Sequence, residues 1–149
     1  MRFKTHLAGG FACYLFLLHY YSIPTGWLFF GLFILLSIVP DIDLYSSWIG
    51  KRVPVLSHLF TVVLGHRGVL HSLWPMIGLA FLLVPFGYGF ALFGYGVHLL
   101  LDASTRKGIF LLWPYWRVTG SFDTGKIGDT LFFFVFVGWS LYFAFILTY

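Results

Sequence analysis

The sequence predicts an all-α fold: an integral membrane helical bundle with about five transmembrane helices, an interfacial helix and an aromatic cytoplasmic loop. Three observations predict it. Apolar residues make up 60% of the chain and charged residues 9%, where a soluble domain carries about 25% charged residues. Three long stretches, residues 5–40, 69–101 and 130–149, contain no Asp, Glu, Lys or Arg. The charged residues gather at the ends of those stretches, and every carboxylate is an aspartate: Asp41, Asp43, Asp102, Asp123 and Asp129. A single domain over residues 1–149 is the organisation expected at this length.

The elements follow in order. The first stretch breaks at Ser22-Ile23-Pro24-Thr25-Gly26, a turn signature, into helices at about 5–21 and 26–40. The second breaks at Pro85-Phe86-Gly87-Tyr88-Gly89 into helices at about 69–85 and 88–104. Residues 130–149 form the fifth helix. Crossing a bilayer takes about 20 apolar residues, with about 17 tolerated. The second helix is short by that measure, so the bilayer thins there or Asp41 lies below the headgroups. Residues 54–64 are apolar but too short to cross, which predicts a helix lying in the interface. Residues 108–116, rich in Phe, Trp and Tyr, predict a loop that dips into the headgroup layer as a lid. Met1-Arg2-Phe3-Lys4 imitates the start of a signal peptide. No small-residue cleavage site follows, and the segment reads as an uncleaved first helix. The single cysteine, Cys13, excludes an intrachain disulfide and a Cys-based zinc motif, and reads as a small apolar filler.

Charge placement orients the bundle. Arg2, Lys4, Lys51, Arg52, Arg67, Arg106, Lys107, Arg117 and Lys126 all fall on one side of this arrangement, and the turns on the other side carry none. The positive-inside rule makes that side, with the N-terminus, cytoplasmic and sends the C-terminus to the far side. The basic residues are accounted for by topology, so no nucleic-acid partner is expected. Lipid is the expected environment, and the oligomeric state is open.

The same face collects the groups able to do chemistry. His6 opens the first helix and Pro40-Asp41-Ile42-Asp43 closes the second. His66-Arg67-Gly68-Val69-Leu70-His71 opens the third, and His98 and Asp102, one helical turn apart and on one face, close the fourth. A histidine nitrogen and a carboxylate oxygen at that spacing suit one metal ion, or one orients the other. Taken singly, an interface histidine or a helix-end aspartate is more often structural, and the structural alternative for Asp41 and Asp43 is pairing only with Lys51 or Arg52. The convergence of these groups by hairpin geometry favours a metal site, since ionisable groups beside membrane spans are functional candidates by default. His19 lies near the opposite surface and reads as an interface residue. His58 is undecided.

The ordered blocks Thr5-His6, Pro40-Asp41-Ile42-Asp43, His66-Arg67-Gly68 with His71-Ser72, His98 with Asp102 and Thr105, and Leu111-Leu112-Trp113-Pro114 resemble the YdjM family. The resemblance covers about residues 5–130. It implies a prokaryotic inner-membrane, metal-dependent hydrolase with ligands among His6, Asp41, Asp43, His66, His71, His98 and Asp102. More loosely, it implies a role for Asp129, near the start of the last helix. The order of His, Pro-Asp, His and His-x-x-x-Asp is also distantly similar to zinc-dependent phospholipase C and P1 nuclease, although the chain is shorter and lacks their terminal Glu ligand.

The expected function is hydrolysis by water activated on two or more divalent ions, zinc above others. Arg67 would stabilise charge on a phosphoryl oxygen, and Asp43 or Asp102 would accept a proton. A phospholipid or another lipid-linked phosphoester at the cytoplasmic face suits ligands placed at headgroup level. The alternatives are an ester or amide hydrolase and a non-catalytic protein with a structural metal. A transporter would need polar groups at mid-membrane depth on several helices, and the first, third and fifth helices have almost none.

Overall fold

A computed structural model of the chain describes residues 2–148. It is built from six α-helices: α1 (Phe3–Tyr20), α2 (Trp27–Leu36), α3 (Pro54–Leu64), α4 (Leu73–Leu83), α5 (Leu92–Ala103) and α6 (Ile127–Thr148). One small hairpin joins β1 (Ile109–Leu112) to β2 (Trp116–Val118). Short 3-10 turns at Val39–Asp43, Val69–His71, Val84–Phe86 and Gly89–Ala91 sit at the ends of α2, α4 and α5. The turns expected from Pro24 and Gly26, and from Pro85 and Gly87, are present; Gly87 adopts the left-handed conformation at φ 80°, which a side chain would disfavour.

The helices are shorter than the uncharged stretches that contain them. Among the described residues only α6, at 22 residues, is long and apolar enough to cross a membrane, against the five spans expected. The helix α2 has 10 residues, which rises about 15 Å where the hydrocarbon core is about 30 Å thick. Pro40, Pro85 and the glycines after it convert helix ends into 3-10 turns, so uncharged length overstates helical length. The apolar helix expected at 54–64 is present as α3, with Pro54 opening its first turn where no intrahelical N–H is needed.

The expected loop at 108–116 is corrected to a hairpin. Ile109 pairs with Val118, Phe110 with Arg117 and Leu112 with Trp116, antiparallel, around a turn at Trp113-Pro114-Tyr115. β-branched and aromatic residues favour such pairing. The Trp74 indole N–H donates to the Trp113 carbonyl at 3.0 Å and ties the turn to α4.

The helix α1 runs along α6 and packs on α5, which lies against α2. Tyr14, Phe29, Phe33, Tyr95 and Leu99 form an apolar core between them. Toward the charged end the interior becomes polar: His6, His71, His98, Asp43, Asp102, Asp129, Thr5 and Thr105 are all buried. The outer surface is the reverse, with Phe81, Leu82, Phe86, Leu100, Phe134 and Leu141 exposed on α4, α5, α6 and their adjoining turns. Apolar surface of that extent marks contact with lipid or protein. Two glycines set the close helix contacts that position the polar end. A Cβ on Gly10 would lie 2.6 Å from Ser37 Oγ, and one on Gly94 would lie 2.3 Å from the Phe33 carbonyl oxygen.

Candidate metal centre

Five side chains from four parts of the chain meet inside the polar end. His6 comes from the first turn of α1, Asp41 from the 3-10 turn after α2, His71 from the turn before α4, and His98 and Asp102 from the last turns of α5. His6 Nε2 lies 3.4 Å from Asp102 Oδ1, and His71 Nε2 lies 3.4 Å from Asp102 Oδ2. Asp41 Oδ1 is 3.8 Å from both His71 Nε2 and His98 Nε2. Ligand atoms of His6, Asp41, His98 and Asp102 all lie within 4.8 Å of one another. The His6 and His98 rings stack at 3.9 Å between centroids, 13° from parallel.

The tautomers follow from the neighbours. His98 Nδ1 is 2.8 Å from the Ser37 carbonyl oxygen, an acceptor only, so Nδ1 carries the proton. His71 Nδ1 is 2.9 Å from Asp43 Oδ2 and donates to that carboxylate. In their neutral forms both rings then present bare Nε2 lone pairs, and these face each other at 3.2 Å. Two lone pairs at that distance repel unless a cation or a shared proton lies between them. Two nitrogens on one tetrahedral zinc, at about 2.0–2.1 Å each, stand about 3.3–3.4 Å apart. Both ring nitrogens of buried His6 lack a hydrogen-bond partner, a cost that a coordinated ion would relieve. The donor set and its spacing therefore fit a divalent ion.

Behind these groups lies a second set that holds them. Asp43 is fully buried, and its oxygens accept from His66 Nδ1 at 2.9 Å, from His71 Nδ1 and from the Arg67 amide at 2.8 Å. Neither oxygen is turned to the facing Nε2 atoms; Asp43 orients His71 as metal-bound histidines are commonly oriented. Burial alone would raise its carboxyl, but the hydrogen bonds from His66 and His71 hold it below the ordinary aspartate value. Burial likewise opposes ionisation of Asp41, and its contact with His71 leads the influences that lower it to about 2.

His66 stands at the rim, with 32% of its side chain exposed. Arg67 adopts φ 61°, a conformation rare outside glycine. It is held there by the hydrogen bond that its backbone N–H donates to Asp43 and by its guanidinium, which reaches Asp102 Oδ2 at 3.2 Å, Thr105 Oγ1 at 3.0 Å and the Gly108 carbonyl at 2.9 Å. Asp129 lies apart from the cluster. It accepts from Thr5 Oγ1 at 2.6 Å, the Arg2 amide at 3.2 Å and the Gly125 amide at 3.0 Å, and so caps the start of α1. His58 is exposed on α3 and His19 is exposed at the opposite end of α1. Sequence reasoning did not find the Ser37 carbonyl, because a backbone acceptor leaves no residue signature. It marked Thr105 only as part of a motif, without its bond to Arg67.

The surroundings of the cluster define a mostly helical protein with an apolar exterior and a buried His/Asp group able to hold a metal ion. The chain belongs to the YdjM family: it matches the family described as YdjM inner membrane protein over residues 1–148. It is 38% identical over 96 residues to the inner membrane protein YdjM of Escherichia coli, covering 56% of this chain and 48% of that protein, with the same figures for the Shigella flexneri protein of that name. It is 34% identical over 117 residues to the uncharacterized protein YvsG of Bacillus subtilis, covering 74% of this chain and 72% of that one. The chain thus spans about half the length of the first two relatives. No solved structure matches it.

Proposed function

We propose that the protein is a metal-dependent hydrolase of the prokaryotic inner membrane, forming one domain over residues 1–149 and acting on a phosphoester of a phospholipid or other lipid-linked substrate at the cytoplasmic face. The observation that carries this reading is that the Nε2 atoms of His71 and His98 face each other at 3.2 Å, with Asp41, Asp102 and His6, whose ring nitrogens make no hydrogen bond, around them. His6, Asp41, His71, His98 and Asp102 hold the metal, zinc by the nitrogen-rich donor set. A bound zinc ion would supply Lewis acidity and lower the pKa of water to about 7.

The chain's own groups do the rest. Asp41 is 14% exposed and lines a cavity of about 320 Å³ beside the cluster; it accepts the proton of the attacking water. The water oxygen bonds to phosphorus and the bond to the leaving oxygen breaks. His66 lines the same cavity, and its Nδ1 is bonded to Asp43; it protonates the leaving oxygen. Arg67 neutralises charge on a phosphoryl oxygen. Both protonation states are restored by exchange with solvent. The family's description as inner membrane proteins and the exposed apolar helices support a multi-pass place in the membrane, and the gathering of Lys and Arg at one end supports N-terminus inside and C-terminus outside. A C-terminal reporter active only in the cytoplasm would overturn that orientation.

A structural-metal reading draws on the complete burial of His6, His71 and His98. Metal analysis of protein purified without chelator, followed by assay on a lipid panel, separates the two. Metal-replete protein that cleaves no phosphoester, ester or amide would leave the structural reading.

A further inference from the structure

The cluster opens through Asp41 into a cavity whose walls are strongly cationic. Arg2, His66, Arg67 and Lys107 line it, and Asp41 is the only carboxylate among its described lining residues. A second hollow of about 200 Å³ adjoins it, sharing His66, Arg67 and Lys107 and adding Arg117, with no carboxylate among its described lining residues. Most of these cations are already engaged. Arg2 bonds to the Gly125 carbonyl and lies 3.8 Å from Asp129, and Arg67 is bound to Asp102. The Arg117 guanidinium is held by the Lys107 carbonyl at 2.6 Å and sits 5.5 Å from the Phe110 ring centre. The Lys107 ammonium has no carboxylate partner among the described residues, although it belongs to the wall shared by both hollows. Buried Arg67 Nε also lacks a hydrogen-bond partner. Cations that outnumber the carboxylates around a concave space raise the local concentration of anions.

We infer that these two hollows form a subsite for a second anionic group, so that the headgroup recognised here is a diphosphate, with one phosphoryl at the cluster and the other between Lys107 and Arg117. The inference rests on the hydrolase reading only for the position of the first phosphoryl group. Positive-inside topology alone accounts for basic residues on this face, but not for their convergence on a cavity that begins at Asp41. Arg117 is fixed and planar, whereas Lys107 is a flexible point charge, a pairing that suits a phosphate able to rotate.

The test is equilibrium binding to the full chain in phosphatidylcholine nanodiscs, with a prenyl methylenediphosphonate, which resists hydrolysis, the matching prenyl monophosphate, and soluble methylenediphosphonate as probes. The diphosphonate lipid should bind more tightly than the monophosphate. Lys107→Ala should weaken the diphosphonate about tenfold, the scale of one charged hydrogen bond, and leave the monophosphate and the metal content unchanged. Lys107→Arg should retain most of the affinity. Equal affinity for both lipids, or no effect of both Lys107→Ala and Arg117→Ala on correctly folded protein, overturns the subsite. If soluble methylenediphosphonate competes at equal concentration, the ligand is a free diphosphate; if only the lipid form binds, it is a membrane lipid. Tight diphosphonate binding by protein that hydrolyses nothing sustains the subsite and overturns the hydrolase reading. Hydrolysis of monophosphates and diphosphates alike, unaffected by Lys107→Ala, does the reverse.

Discussion

His71 lies between Asp41 and Asp43: its Nδ1 is 2.9 Å from Asp43 Oδ2, and its Nε2 is 3.8 Å from Asp41 Oδ1. The two aspartates are two residues apart on a 3-10 turn, where each residue advances about 120°. They therefore point in different directions and grip opposite edges of one imidazole. One carboxylate sets the tautomer and the other joins the face that the tautomer leaves bare.

Removing the orienting carboxylate should weaken metal binding without abolishing it. Asp43→Asn keeps the shape but removes the charge that holds the His71 proton on Nδ1. Affinity should fall by about 10- to 100-fold, the usual cost of losing such a partner. His98→Ala or Asp102→Ala should lower occupancy further, because each removes a donor atom. Competition with a calibrated chelator measures all three. Unchanged affinity in Asp43→Asn would remove Asp43 from the centre.

The same carboxylate should shape acid stability. Burial opposes its ionisation, but hydrogen bonds from His66 and His71 lower its folded value below the ordinary one. A lowered carboxyl contributes stability that is fully present above its unfolded pKa, about 3.9, and is lost as pH falls through the folded value. The difference in melting temperature between wild type and Asp43→Asn should shrink as the pH falls below about 4. Metal-free protein in detergent is the sample, so that loss of metal does not enter. A difference that grows on acidification would reverse the sign.

His66 should behave as a proton donor and not as a ligand. It is half-buried at the cavity rim with Asp43 on its Nδ1. His66→Ala should slow cleavage of an alkyl phosphoester by about 10²- to 10⁴-fold, the range of general acid catalysis. An ester with a nitrophenyl leaving group, which needs no proton, should be nearly unaffected. Metal content should stay at the wild-type level. Loss of metal in the variant would return His66 to the ligand set implied by the family resemblance.

The polar end of this protein was more legible in its sequence than the helices that carry it. His6, Asp41, His71, His98 and Asp102 stand out because ionisable groups are costly in an apolar chain, and simple hairpins bring them together. The separate duties of Asp41 and Asp43 were not legible, since both lie at a helix end and only the 3-10 geometry turns them apart. Asp129 opens the last helix as expected, but it is held by Thr5 and the Arg2 amide. That contact spans nearly the whole chain and has no local signature. Prolines and glycines marked the turns after α1 and α4, whereas hydropathy alone could not show where an α-helix gives way to a 3-10 turn. The hairpin at 109–118 was hidden because its strands have only four and three residues and lack clean alternation.

The depth of the site yields the last prediction. The cluster lies at the charged end of the bundle, close to Lys107, Arg2 and Arg67. Beside it, α3 exposes Val55, Leu59, Val62 and Val63, and the hairpin exposes Tyr115 and Trp116. Apolar and aromatic side chains of this kind favour the boundary between headgroups and acyl chains. A lipid can thus keep its tails among apolar neighbours while its phosphate reaches Asp41 and Arg67. A long-chain substrate in nanodiscs should be cleaved faster than its soluble short-chain analogue at equal accessible concentration. Chelation should abolish both rates reversibly, and the rate should climb with pH through a midpoint near ~7 if the ion is zinc. His71→Ala and Asp41→Ala should remove activity yet leave membrane insertion intact, because neither contributes apolar surface to the exterior. Equal rates on soluble and embedded substrates would leave hydrolysis standing and refute a site built for lipid.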